Sequence, residues 1–169
     1  PLEIKKESKP SISRKKILYQ HTRLKRDVKG AAKALGVKSK RINIDKSEDN
    51  PLKWRISLPK RIVNKDIILI HSTESNTAIV ELWLMLIALR EAKVKTITLI
   101  NSYEGYSRQD KIFKPGEGIS AVTMLKIADI FTDVHMAFNV HYGEKTGLIS
   151  LDENGITERE EKGKYFIYN

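Results

Sequence analysis

Residues 66–100, "DIILIHSTESNTAIVELWLMLIALREAKVKTITLI", constrain the fold more than any other stretch. "DIILIHST" is a continuous apolar run ending in polar residues, as expected of a strand buried on both faces and central in its sheet. "NTAIVELWLMLIALREAK" reads as one long, largely apolar helix with Asn76 as its cap, and "VKTITLI" returns as a second buried strand. A strand, a crossover helix and another strand make a parallel pair, and such units build α/β domains.

The alternation continues on both sides. Residues 1–14 read as a basic arm and "KILYQ" as a strand. "TRLKRDVKGAAKALG" reads as a helix with Leu24, Val28, Ala31, Ala32 and Leu35 on one face and Gly36 closing it. "KRINI" is the next strand. After the acidic turn "SEDNP", "LKWRISLP" alternates Leu52, Trp54, Ile56 and Leu58 as a strand with one buried face does. "SAVTMLKIADIF" and "VHMAFNVH" repeat helix and strand. The end, "LDENGITEREEKGKYFIYN", reads as a turn at Asn154 and Gly155, a charged segment and a short last strand. The expectation is an α/β fold, a mainly parallel sheet flanked by helices, in one domain over residues 15–169 behind the arm.

The net charge of +10 is unevenly placed. Residues 1–41 carry 14 Lys or Arg against three acids, and the remaining residues carry 17 against 18. A basic quarter of this kind attracts phosphates, nucleic acid or an acidic face, a solvated surface being the plain alternative. The region from Lys5 to Arg41 is therefore the candidate surface for RNA or an acidic protein. With no cysteine, disulfides, zinc–thiolate sites and cysteine nucleophiles are excluded. No stretch reaches the roughly 18 consecutive apolar residues of a membrane-spanning helix, and the first residues lack the apolar core of a secretory signal.

Ligands of open α/β sheets bind beyond the carboxyl ends of the strands. Three loops leave such ends: "HSTESN", "YEGYSRQDKIFKPGEGIS" and "NVHYGEK", expected to be neighbours at one rim. The second is unusual, because a connection that normally needs only a few residues holds two tyrosines, three glycines, a proline and an Arg-Gln-Asp-Lys cluster. The chemistry on offer is polyphosphate recognition. Hydroxyls of Ser72 and Thr73, free amides at Asn76 and the guanidinium of Arg108 suit anionic oxygens. Gln109 can donate or accept to a base or sugar, Asp110 can orient Arg108 or approach a metal, and His141 directly follows a strand. On the residues alone, a structural role for His141 and a plain charged loop for Arg108, Gln109 and Asp110 stay open. No G-x-G-x-x-G, G-x-x-x-x-G-K-[ST], H-E-x-x-H or G-x-S-x-G occurs, which weighs against dinucleotide, ATPase, protease and esterase readings.

"ELWLMLIALREAKVKTITLINSYEGYSRQDKIFKPGEGISA" resembles the core of the N-terminal domain of the ribose-phosphate pyrophosphokinase, or PRPP synthetase, family. That family shows Q-S-T after its central strand, a helix ending in A-L-R, then P-Y-x-x-Y-x-R-Q-D-[RK] and E-x-I-[ST]-[AS]. The counterparts here are His71-Ser72-Thr73, Ala88-Leu89-Arg90, Ser102 through Lys111, and Glu117 through Ala121. The resemblance covers about residues 16–143.

The resemblance implies a phosphoribosyltransferase-like fold and an ATP site served by Mg2+. It makes Arg108 and Gln109 the ATP contacts, with Asp110 beside them. It places His141, the match of the histidine in D-L-H, near the ATP phosphates and the magnesium, and makes Tyr103, Gly105, Tyr106 and Glu117 the residues that shape the loop. The family's F-x-D-G-E reaches adenine across a subunit interface; it matches Ser47-Glu48-Asp49-Asn50-Pro51, where Asp49 alone is kept. Asn139 stands for the aspartate of D-L-H and Ser102 for the proline before the first tyrosine.

The family's reaction moves diphosphate from ATP to the C1 hydroxyl of ribose 5-phosphate, and its ribose-phosphate and lysine loops belong to a C-terminal half without a counterpart here. "LISLDENGIT" reads instead as an Asn-Gly turn. The expectation is a domain that keeps part of an ATP site, is inactive alone, and self-associates or docks to a longer relative. The family default is the cytoplasm, with a mitochondrial or other organelle matrix as the alternative. A competing expectation is a non-catalytic interaction subunit of a larger, RNA-containing assembly.

Overall fold

The computed structural model describes residues 15–19, 25–50, 52–152, 155–159 and 165–168. In chain order the elements are β1 (Lys15–Tyr19), α1 (Lys25–Ala34), β2 (Ser39–Arg41), β3 (Asn43–Lys46), β4 (Trp54–Ser57), β5 (Asp66–His71) and α2 (Asn76–Glu91). Then follow β6 (Thr96–Asn101), α3 (Ser120–Phe131), β7 (Val134–Phe138), β8 (Gly147–Asp152), β9 (Gly155–Arg159) and β10 (Tyr165–Tyr168). The main sheet has the order β2-β1-β5-β6-β7-β10-β8-β9. Neighbours from β2 to β10 run parallel, while β8 and β9 close the far edge antiparallel.

Alternation along β5 and β6 divides the core between the two sheet faces. Ile67, Leu69, Ile97 and Leu99 pack with Leu82, Met85, Leu86 and Leu89 of α2 and Ala128 of α3. Ile68, Ile70 and Ile100 point the other way, toward Val28 and Ala32 of α1. Leu125 of α3 joins Ala137, Ile149, Tyr165 and Ile167 in a third cluster over β7, β10 and β8. Burial of each large aliphatic side chain stabilises by about 1.5–3 kcal/mol, so the βαβ unit at residues 66–101 anchors the domain.

Several local expectations are corrected. The cap of α2 is Ser75, not Asn76: Ser75 is extended (φ −150°, ψ 160°) and its hydroxyl accepts from the Ala78 amide at 3.1 Å, leaving Asn76 as the first helical residue. "KRINI" is not one strand. Ile42, fully buried, marks a break after which β3 leaves the main sheet and pairs antiparallel with β4. The "LKWRISLP" strand shortens to Trp54–Ser57 in that hairpin, and Ile44, Ile56 and Leu58 pack on the main core.

Leu52 falls off the alternation, 92% exposed, because its amide is bound by the Asn50 side chain in the hairpin turn. Leu35, 39% exposed, lies beyond the end of α1, where Gly36 closes the helix at φ +64°. Leu24, the arm and Asn154 lie outside the described residues, although Asp152 pairs with Gly155 across a two-residue connection. The strands of the β8–β9 hairpin were not anticipated, and β10 inserts between β7 and β8. Among the described residues no helix is long and apolar enough to cross a membrane.

Candidate functional site

β5, β6 and β7 are adjacent and parallel, so the loops leaving their carboxyl ends lie along one rim, as expected. Hydrogen bonds join these loops. The Ser102 amide donates to the His71 carbonyl at 2.8 Å and the Thr73 amide to the Tyr103 carbonyl at 2.9 Å. The Tyr106 hydroxyl donates to Asn76 Oδ1 at 2.7 Å, and Asp110 Oδ2 lies 3.5 Å from His141 Nδ1. All three segments therefore meet.

Thr73, expected to offer its hydroxyl to a phosphate, does not reach the rim. It is buried, donates to the Tyr103 carbonyl at 2.9 Å, and accepts from Asn101 Nδ2 at 2.9 Å and the Gly105 amide at 2.9 Å. One donor and two acceptor positions exhaust a hydroxyl, so Thr73 organises the loop from beneath. A Cβ at Gly105 would overlap the Thr73 carbonyl oxygen, which explains the glycine. Ser72 is half-buried, with its hydroxyl 3.4 Å from Glu74 Oε2.

Further along the loop, Glu117 Oε2 accepts from the amides of Phe113 (3.0 Å) and Lys114 (2.9 Å), around a turn in which Gly116 has φ +89°. The Gln109 carbonyl accepts from the Ala121 amide at 3.1 Å in the first turn of α3, and its side chain donates to the Lys111 carbonyl at 3.3 Å. Tyr106 holds a left-handed backbone (φ +63°), and both Tyr103 and Tyr106 expose their rings. On this braced loop Arg108 is exposed, with no hydrogen bond or ion pair to a described residue.

His141 is 59% exposed at its side chain, beside the largely covered Asp110, whose Oδ1 is buried and has no hydrogen-bond partner among the described residues. Among the described residues no group of three or more His, Cys, Asp or Glu stands ready to hold a metal. Magnesium prefers oxygen ligands and is commonly held by one or two carboxylates together with water and substrate phosphates. Asp110 fits that pattern; the imidazole of His141 suits a phosphate oxygen better than the ion. Asp49 sits exposed in the turn between β3 and β4, and no described contact ties it to the rim residues.

Sequence reasoning missed the floor beneath the loop. Glu104 is 6% exposed and its Oε2 accepts from Asn101 Nδ2 at 3.1 Å. His135 Nε2 lies 3.2 Å from the same oxygen, an ion-pair distance at which the hydrogen-bond angle is not met. Burial, and then the charge of Glu104, push the Tyr142 hydroxyl well above the usual tyrosine range. The available signal was the inward register of His135, on the same face of β7 as the buried Ala137.

Residues 18–132 match the family model described as the N-terminal domain of ribose phosphate pyrophosphokinase. The chain belongs to this family. The ribose-phosphate pyrophosphokinase of Sulfurisphaera tokodaii is 38% identical over 93 residues, covering 53% of this chain and 32% of that protein. The enzyme of that name from Corynebacterium ammoniagenes is 34% identical over 92 residues, covering 53% and 28%. Among solved structures, phosphoribosylpyrophosphate synthetase from Mycobacterium smegmatis superposes with a TM-score of 0.66 at 20% identity, covering 78% of this chain and 44% of that one. That likeness speaks for the fold. The chain thus spans about a third or less of these curated relatives. Within the span matched to the pyrophosphokinase domain lie His71 through Thr73, Tyr103 through Lys111, and Glu117; His141 and the β8–β10 addition lie beyond it.

Proposed function

We propose that this PRPP-synthetase-type domain binds Mg-ATP at the rim and supplies the nucleotide side of diphosphate transfer to ribose 5-phosphate, with no activity alone. The observation that carries the reading is Arg108, without a partner among the described residues, on a braced loop whose neighbour Asp110 approaches His141. Arg108 suits bidentate contact with polyphosphate oxygens, and its fixed backbone limits the ordering cost of binding. His141, with Nδ1 3.5 Å from Asp110 Oδ2, turns its exposed ring toward the space a phosphate would fill. Gln109 keeps its side-chain oxygen for the base or sugar, and the exposed rings of Tyr103 and Tyr106 offer apolar faces to the base. Asp110 would hold the magnesium that the nucleotide brings, which neutralises charge on the transferred group.

The ribose 5-phosphate side must come from elsewhere. Asp152 of β8 pairs with Gly155 of β9, and the sequence "LISLDENGIT" holds no glycine-rich phosphate cradle. Amide chemical-shift mapping with Mg-ATP tests the reading. Changes concentrated at residues 72–76, 103–111 and 139–142 are expected; saturable changes elsewhere, or none at millimolar nucleotide, would overturn it. A second reading, an interaction subunit in an RNA-containing assembly, draws on the charge of residues 1–41.

A further inference from the structure

The exposed face of α1 carries Lys25, Lys29 and Lys33 at four-residue spacing, a row about 12 Å long. Exposed Lys38 and Lys40 follow as the chain enters β2. Residues 25–41 hold seven Lys or Arg against one acid, Asp27. These five lysines make no ion pair with a described residue. A solvated helix face normally interleaves opposite charges at this spacing, whereas like charges at i and i+4 repel and weaken the helix. The row therefore costs stability unless a polyanion neutralises it.

We propose that this face of α1, continued by Lys38 and Lys40, is a nucleic-acid-binding surface that grips the phosphate backbone of single-stranded RNA without reading its sequence. Lysine is a point charge suited to phosphate but poor at bidentate base recognition, which makes the contact sequence-independent. Protein interfaces are depleted in lysine and built around aromatic and aliphatic anchors. The exposed positions described on α1 are Lys25, Lys29, Gly30, Lys33 and Ala34, which provide no such anchor. Gly30 strengthens the case. It lies inside the helix, where glycine is unfavourable, yet a Cβ there would meet nothing within 4 Å, so no packing contact requires it. Its bare backbone leaves the surface beside the lysine row open to a sugar-phosphate chain. α1 packs on Ile70, on the face of the sheet opposite α2.

The test uses the 169-residue chain, a fluorescein-labelled uridine 20-mer and anisotropy titrations across a salt series. The comparison is the triple variant Lys25→Gln, Lys29→Gln, Lys33→Gln, which keeps helix propensity. The wild type is expected to bind with a steep salt dependence. The variant is expected to lose about 2 from the log–log salt slope, three phosphate contacts at about 0.7 each, and to bind at least roughly tenfold more weakly. A cytidine 20-mer is expected to bind equally well. An unchanged slope and affinity in the variant would overturn the proposal, as would poly-glutamate of equal charge binding as tightly as the RNA. Arg108→Ala, expected to leave RNA binding intact, separates this outcome from the fate of the nucleotide reading.

Discussion

The Gly105 amide donates to the Thr73 hydroxyl at 2.9 Å, fastening the tyrosine loop after β6 to the residues that leave β5. Thr73→Val keeps the shape and removes a hydroxyl with three partners, leaving the Gly105 amide without an acceptor and Asn101 Nδ2 with Glu104 alone. An unmade buried hydrogen bond costs about 1–3 kcal/mol, and a loss of that order is expected in urea unfolding at unchanged m-value. Gly105→Ala should be worse, because its Cβ overlaps backbone rather than a movable side chain.

Arg90, the arginine of the A-L-R match, has a structural role. Its Nε donates to the Phe131 carbonyl at 2.7 Å and its Nη2 to Asp133 Oδ2 at 2.9 Å, while that same oxygen accepts from the Ile97 amide at 2.7 Å. The end of α2, the end of α3 and the start of β6 are clamped together. Lysine cannot span both acceptors, so Arg90→Lys is expected to lower stability by about 1–2 kcal/mol while leaving nucleotide binding unchanged. A loss of binding without a loss of stability would count against this role.

Tyr142 should behave in the opposite way. Its hydroxyl is buried without a hydrogen-bond partner among the described residues, so Tyr142→Phe at neutral pH is expected to be neutral or slightly stabilising. Burial and Glu104 raise the folded-state pKa above the ordinary 10.0, so the folded state holds this proton more tightly than the unfolded chain. The resulting stability is present below about pH 10 and is lost as pH rises further. Urea midpoints between pH 7 and 11 should fall less steeply for the phenylalanine variant; parallel curves would contradict the assignment.

Gly30→Ala places a methyl group in open space inside α1. A gain of about 1 kcal/mol in unfolding free energy is expected from helix propensity alone. A destabilised variant would reveal a contact that the described structure lacks.

The βαβ unit was legible because its signal is strong and local: continuous apolar runs for β5 and β6 and a long apolar helix between them. The rim followed from topology, since three loops that leave adjacent parallel strands must be neighbours. What failed depended on tertiary choice. Nothing within "KRINI" shows that buried Ile42 divides two strands of different sheets. Ser75 and Asn76 are both good caps, and only the backbone of Ser75 decides between them. Thr73 looked like a phosphate ligand because sequence gives its hydroxyl but not the Asn101 and Gly105 donors that occupy it. Glu104 and His135 went unnoticed because they come together only when the loop folds over β7.

Calorimetric titration of Mg-ATP into the wild-type chain and Arg108→Ala, side by side, tests the central claim most directly. The account expects saturable binding by the wild type and a loss of about 2 kcal/mol, or some thirtyfold in affinity, when the charge-assisted contacts of Arg108 are removed. Equal affinity in the two proteins, or no binding to the wild type at millimolar Mg-ATP, would mean that the loop is retained as scaffold and that the rim is not a nucleotide site.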